Sequence, residues 1–366
     1  MEQHRIEYID AMRGFTMILV VYSHVCMFCF GDYFMAFNKV LFLLRLPCFF
    51  FISGWLFYKV GRLWDGATTR QVIRKKFMVQ IVPTVIFLAL HERMNFFHQL
   101  GAFKGGYWFT FALFIFFVLY IIQDKGTAPP TAPEGKASLS SPEGDTIEAP
   151  SGAVGGALAL TFRLAIALLI SIAAYWYDVS YQRVSPQLGW GREVLGFMGF
   201  VTWRYYIFFV LGTLAKKYFD RFLELTSRRS VQTAVVAGFC LMAALPVTDC
   251  WWWAYTRFAV SGICGMVMVF TVFRLCAKWL TKERFVGRSL QYVGTRTLDV
   301  YLLHFFFLPE FLLPHRDLLL SRQNILLEIL VVFVLALVVL LLSLLASRIL
   351  RLSPFLAKYL FGVKGR

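Results

Sequence analysis

Residues 9–25 read IDAMRGFTMILVVYSHV, and the apolar run they open extends from Met12 to Gly31. About 20 apolar residues cross a ~30 Å hydrocarbon core as one helix. Lipid offers no hydrogen bonds, so backbone in such a run satisfies itself as a helix. Nine further runs follow at about 39–58, 77–92, 107–123, 154–176, 194–215, 232–248, 254–276, 290–308 and 324–349. The expected fold is all-α: one polytopic membrane domain over 1–366 with about ten transmembrane helices.

Composition agrees with this reading. Hydrophobic residues make up 59% and charged residues 16% of the 366, against about 25% charged in soluble domains. A large soluble catalytic domain, a nucleic-acid-binding protein and a secreted disulfide scaffold are excluded. The seven Cys lie in or beside apolar runs, and Cys26 and Cys29 sit on the first helix with no metal expected. The first run lacks a small-residue cleavage pattern, so no cleavable signal is expected.

The net charge of +16 comes from 37 Lys and Arg against 21 Asp and Glu. Alternate connections carry it: Lys59, Arg62, Arg70, Arg74, Lys75 and Lys76; Lys216, Lys217, Arg221, Arg228 and Arg229; Arg274, Lys278, Lys282, Arg284 and Arg288; and a tail with Arg348, Arg351, Lys358, Lys364 and Arg366. The intervening connections hold few basic residues, among them Arg93, Arg183 and Arg322. Basic loops stay cytoplasmic, which places both termini on that side. Residues 124–153 are rich in Pro, Gly, Ser and Thr and read as a flexible cytoplasmic linker between helices four and five.

Ionisable residues inside apolar runs are expensive, and they mark functional sites or polar helix contacts. His24 follows Arg13 by eleven residues, about 16 Å along a helix and nearly on one face. Arg13 then stands at the inner interface, as topology anchor or ligand contact, and His24 near mid-membrane, as functional group or helix-helix contact. Arg45 lies near the outer end of the second run, before Pro47 and Ser53-Gly54. It either snorkels outward or meets a polar acceptor. The cluster Arg70, Arg74, Lys75 and Lys76 is a topology and lipid signal or a phosphate-binding patch. His91 and Glu92 end the third run, where they orient an acceptor or form a solvated loop end. Tyr107-Trp108-Phe109 opens the fourth as an aromatic belt. Tyr301 and His304 lie in the ninth, where His304 lines a pocket or makes a structural polar contact.

Ordered together, these segments resemble the acyltransferase-3 family of integral membrane acyltransferases. The resemblance rests on Asp10-x-x-Arg13-Gly14 with His24 at its fixed spacing, Pro47-x-Phe49-Phe50 leading to Ser53-Gly54, Tyr107-Trp108-Phe109, Phe208-Phe209-x-x-Gly212, and Tyr301-Leu-Leu-His304. The Pro-x-Phe-Phe form is most similar to the branch of fucose 4-O-acetylases and related sugar acetylases. In the basic loop the chain departs from its relatives: Val79-Gln80 occupies the second basic position before Pro83.

The resemblance implies an O-acetyltransferase of a multi-pass cell membrane protein, in the bacterial inner membrane, acting in polysaccharide modification of the cell envelope. Acetyl-CoA or another short acyl-CoA is the cytosolic donor, and the acceptor is a hydroxyl of an extracytoplasmic glycan or lipid-linked sugar. His24 is implied as catalytic base and Arg13 as serving acyl-CoA. Ser53 is a candidate oxyanion donor, and Arg70, Arg74, Lys75 and Lys76 are candidate cofactor contacts. Arg45, His91, Glu92, Trp108, Tyr301 and His304 are the candidate acceptor contacts. Expected partners are acyl-CoA, the glycan and the bilayer, with no nucleic acid and no metal, as a monomer or homodimer. The competing readings are a multispan transporter or lipid-linked glycan flippase, and a membrane scaffold.

Overall fold

A computed structural model describes residues 6–31, 36–92, 96–97, 100–101, 103–126, 151–246, 248–317 and 324–362. Side chains of 36, 151–158 and 182–186, Arg183 included, are outside that description. Arg93, Arg322, Lys364, Arg366 and linker residues 127–150 also lie outside the described residues. Among those described, the chain is helical, with no strand.

The helices are α1 (Glu7–His24), α2 (Ala36–Phe57), α3 (Gly66–Lys76), α4 (Val82–Glu92), α5 (Trp108–Gly126), α6 (Ser151–Val184), α7 (Trp190–Met198), α8 (Tyr206–Lys217), α9 (Phe219–Ser227), α10 (Arg229–Ala244), α11 (Trp251–Leu275), α12 (Phe285–Thr295), α13 (Thr297–Leu303), α14 (Ile325–Leu350) and α15 (Pro354–Phe361). Wider π-helical turns continue α1 over Val25–Cys29 and join α3 to α4 over Phe77–Ile81. Six helices among the described residues are long and apolar enough to cross a membrane. The count is seven if the pair Trp190–Met198 and Phe200–Lys217, bent by 46°, forms one span. The remaining expected runs, at 77–92, 232–248 and 290–308, form shorter or broken helices instead. Apolar content alone predicted continuity, but π and 3₁₀ turns interrupt two of these runs.

The linker is also shorter at its start than its composition suggested. Helix α5 runs on through Asp124 and Lys125 because Asp124 forms an ion pair with buried Arg163 of α6 and accepts a 2.5 Å hydrogen bond from the Trp64 indole.

Two glycine crossings set the bundle. A Cβ on Gly14 would sit 1.9 Å from the Leu290 carbonyl, and one on Gly294 2.0 Å from the Asp10 carbonyl, so α1 and α12 touch backbone to backbone. Helices α2 and α8 repeat the arrangement: a Cβ on Gly54 would lie 2.0 Å from the Phe209 carbonyl, and one on Gly212 2.0 Å from that of Phe51. Small residues permit such approach where apolar lipid gives helices little other reason to associate. Between these crossings Phe50, Phe51, Phe116, Phe208, Phe209 and Phe270 fill the core. The start of α13 is fastened by buried Asp299, which accepts 2.8 and 2.9 Å hydrogen bonds from Arg351 and one of 2.5 Å from Ser347 of α14.

Candidate active site

Helix α1 carries Arg13 near one end and His24 as its last α-helical residue. The π turn begins immediately after His24, and a second π turn begins immediately after Lys76. Such turns insert an extra residue per turn and are frequent at functional sites. Neither was legible from hydropathy.

Around His24 the helices open a cavity of about 410 Å³ lined by Val20, Met27, Phe28, Phe42, Arg45, Trp108, Arg204 and Tyr205, among others. That volume lies within the ~300–1,000 Å³ range of small-molecule sites. Most of its wall is apolar or aromatic, and the polar side chains among its lining residues include His24, Arg45, Arg204, Thr202, Tyr205 and Trp108. Arg45 is 4% exposed and lies 4.3 Å from the Phe42 ring centroid. Arg204 is ion-paired with Asp178 and stands 5.3 Å from the Tyr205 ring. A second void of about 20 Å³ continues along α1 past Met17 and Val20, walled by Phe49, Phe109, Trp108 and Tyr301.

Behind His24 stands His304. The His24 Nδ1 and His304 Nε2 atoms are 2.6 Å apart, and the ring planes differ by 13°. Phe305 packs on both rings, at 5.1 Å from His24 and 4.1 Å from His304. These histidines stand 280 residues apart in sequence, and nothing in their local patterns pairs them.

The basic residues gather near the other end of α1. A cavity of about 250 Å³ is lined by Lys59, Arg62, Lys75, Lys76 and Gln80 with Leu56, Phe57, Val72 and Val79. Lys76 reaches over Phe117, its Nζ 4.1 Å from the ring centroid. Burial together with the charges of Arg13, Lys75, Arg62 and Lys59 lowers its ammonium to about 8. Arg13 therefore belongs to the same electrostatic cluster although it lies on a different helix. A pocket that holds this much positive charge before any ligand enters suits an anion such as phosphate. Arg70 and Arg74 are exposed on α3 and are not among the lining residues.

Lys76 sets a pH test. With an ammonium at about 8, it loses charge as pH rises from 7 to 9, while its arginine neighbours keep theirs. Anion binding at this cavity is expected to weaken several-fold over that range. Lys76→Arg is expected to flatten the dependence, measured by titrating a CoA thioether at both pH values. Equal pH dependence in the two proteins would remove Lys76 from the site.

Other expected site residues fall into two groups. Trp108 lines both cavities, and Tyr301 lines the smaller one. The Tyr301 hydroxyl, however, donates to the Gly106 carbonyl at 3.1 Å and accepts from the Phe109 amide at 3.0 Å, so it braces the loop before α5. His91 and Glu92 pair at 3.1 Å, with His91 against Phe305, and neither is among the lining residues of the three cavities. Ser53, the expected oxyanion donor, gives its hydroxyl proton to Phe49 O at 2.8 Å and is not among the residues lining the two cavities at His24. A serine inside a helix commonly bonds the carbonyl four residues back, which uses its one proton. His304 likewise reaches the large cavity only through His24. Arg204, Tyr205 and Thr202 are cavity residues that sequence reasoning missed, because the bend between α7 and α8 delivers them.

A family model described as an acyltransferase domain (Acyl_transf_3) matches residues 6–348, nearly the whole chain. No curated protein and no solved structure matches it. The matched interval contains Arg13, His24, the basic cavity and His304, and with several apolar helices the chain is a multi-pass membrane protein and belongs to this acyltransferase family.

Proposed function

We propose that the protein moves an acetyl or other short acyl group from cytosolic acyl-CoA to a hydroxyl of an extracytoplasmic glycan or lipid-linked sugar. The observation that carries this reading is the arrangement along α1: a basic cavity beside Arg13 at one end and a cavity of about 410 Å³ around His24 at the other. The basic-loop asymmetry supports a cytosolic position for the Arg13 end. Resemblance of the Pro47-x-Phe49-Phe50 segment to sugar acetylases favours a sugar hydroxyl as acceptor, in polysaccharide of the bacterial cell envelope.

The CoA phosphates rest among Arg13, Arg62, Lys75 and Lys76, and the pantetheine arm follows α1 toward His24. The void on that path holds about 20 Å³, about one water. Passage of the arm therefore requires Met17 or Phe49 to swing aside. At the far end His24 accepts the acceptor hydroxyl proton while the oxygen attacks the thioester carbonyl. Arg45 and Trp108 share the cavity, one supplying N–H donors for developing negative charge and the other a flat face for a sugar ring. Only the acyl group crosses, and the charged nucleotide stays where it bound.

The test is direct. Purified protein in detergent, given acetyl-CoA labelled in the acetyl group, is expected to bind it saturably and to release CoA when a sugar acceptor is supplied. Failure of a monodisperse protein to bind acetyl-CoA would overturn the reading and leave a transporter or flippase in its place.

A further inference from the structure

We infer that His304 is a positioning residue that fixes the tautomer of His24 and so leaves His24 Nε2 unprotonated toward the cavity. The inference rests on the acyl-transfer reading for its consequence, but its geometry stands alone.

The chain of hydrogen bonds has a fixed end. The Nδ1 of His304 lies 2.9 Å from the Val300 carbonyl, one helical turn back. A carbonyl only accepts, so Nδ1–H of His304 donates. In the neutral ring the remaining nitrogen, Nε2, carries a lone pair and no hydrogen. His24 Nδ1 is 2.6 Å from that lone pair and must donate to it. The proton of neutral His24 is thereby held on Nδ1, and Nε2 is bare. A histidine's tautomer is set in this way by the partner of its other nitrogen.

The surroundings keep the pair intact. His304 is fully buried, Phe305 packs on both rings, and Phe28 stands edge-on to that of His24. The charged or titratable groups near the pair include Arg45 and Arg204 at the shared cavity, Tyr301, whose ring centroid is 6.1 Å from that of His304, and His91 beyond Phe305. Arg204 is ion-paired with Asp178 and the Tyr301 hydroxyl bonds Gly106 and Phe109, and none of the four takes the hydrogen-bonding place of His304. The α-helical pattern of α13 also gives way to a 3₁₀ turn at His304, so the ring sits at a break in the helix rather than along a regular face.

The step balances without a further reactant. The acceptor O–H proton passes to His24 Nε2 as the new C–O bond forms. The thioester C–S bond breaks with its electron pair on sulfur, and the proton on Nε2 goes to that sulfur, giving the ester and the CoA thiol. Between these events His24 is an imidazolium whose Nδ1–H bond to His304 becomes charge-assisted and stronger. His304 thus takes the place that a carboxylate occupies in a Ser-His-Asp triad, where the wrong tautomer lowers turnover by about 10⁴.

The experiment uses the full chain in detergent with all six histidines labelled with ¹⁵N, His24 being assigned by loss of its signals in His24→Gln. Wild type is expected to show His24 protonated at Nδ1 and bare at Nε2. In His304→Phe, which keeps a ring but no acceptor, the His24 proton is expected to leave Nδ1 and kcat to fall by about 10²–10⁴ at unchanged KM for acetyl-CoA. His304→Gln retains an acceptor oxygen for His24 and is expected to recover part of the rate; it serves as the variant should the phenylalanine protein fail to fold. A proton on Nε2 of His24 in wild type, or wild-type kcat in both variants, would overturn the inference. Absence of any acyl transfer in a wild type with bare Nε2 would instead refute the acyl-transfer reading while leaving the tautomer assignment intact.

Discussion

Substituting glutamine for His24 is expected to reduce acyl transfer by at least about 10²–10⁴, the usual contribution of a positioned general base. Glutamine keeps a donor that can reach His304 Nε2, so the packing beneath Phe305 survives. What it lacks is a lone pair basic enough to hold a proton during attack. Binding of acetyl-CoA is expected to change little, because the basic cavity is built from other residues: Lys59, Arg62, Lys75 and Lys76. The measurement is CoA release with a saturating acceptor, alongside equilibrium binding of labelled acetyl-CoA. Wild-type turnover in the variant would remove His24 from the chemistry, and loss of binding with unaltered turnover would place it on the donor side.

Replacing Gly54 with valine is expected to prevent the bundle from forming, with no route through the active site. The added Cβ would sit 2.0 Å from the Phe209 carbonyl, against backbone rather than a movable side chain. Overpacking usually costs about 1–3 kcal/mol, and here α2 and α8 must separate along their whole contact. Loss of monodisperse protein, or a large fall in the melting midpoint, is the expected result. Gly212→Val acts on the same crossing, where its Cβ would meet Phe51 O at 2.0 Å. The double variant is therefore expected to be little worse than either single one. Gly66→Ala is the control: no heavy atom lies within 4 Å of its Cβ, and it should melt like wild type. Equal midpoints for Gly54→Val and Gly66→Ala would show that the crossing relaxes freely.

Much of the architecture was legible because hydropathy is a local property. The run containing Arg13 and His24 became a helix, and the 324–349 run became the long α14. Charges crowded into alternate loops likewise separated the basic cluster from His24. Local reading failed where a helix changes its pitch. Nothing in VCMFC or FMVQI announces a π turn, and the 46° bend before α8 gave Arg204 and Tyr205 a place on the cavity wall. At Ser53-Gly54 the structure shows what the motif does for packing: Gly54 permits the close passage of α8, and the Ser53 hydroxyl bonds within its own helix.

By itself the amino-acid sequence determined a helical membrane protein, the Arg13-to-His24 spacing and family membership, since each follows from residues near one another or from their order along the chain. Only the tertiary structure decided that His304 meets His24, that Arg13 joins the field around Lys76, and that Tyr301 braces a loop. Those relations join residues on different helices, and they depend on backbone crossings at Gly14, Gly54, Gly212 and Gly294 that set how the helices meet.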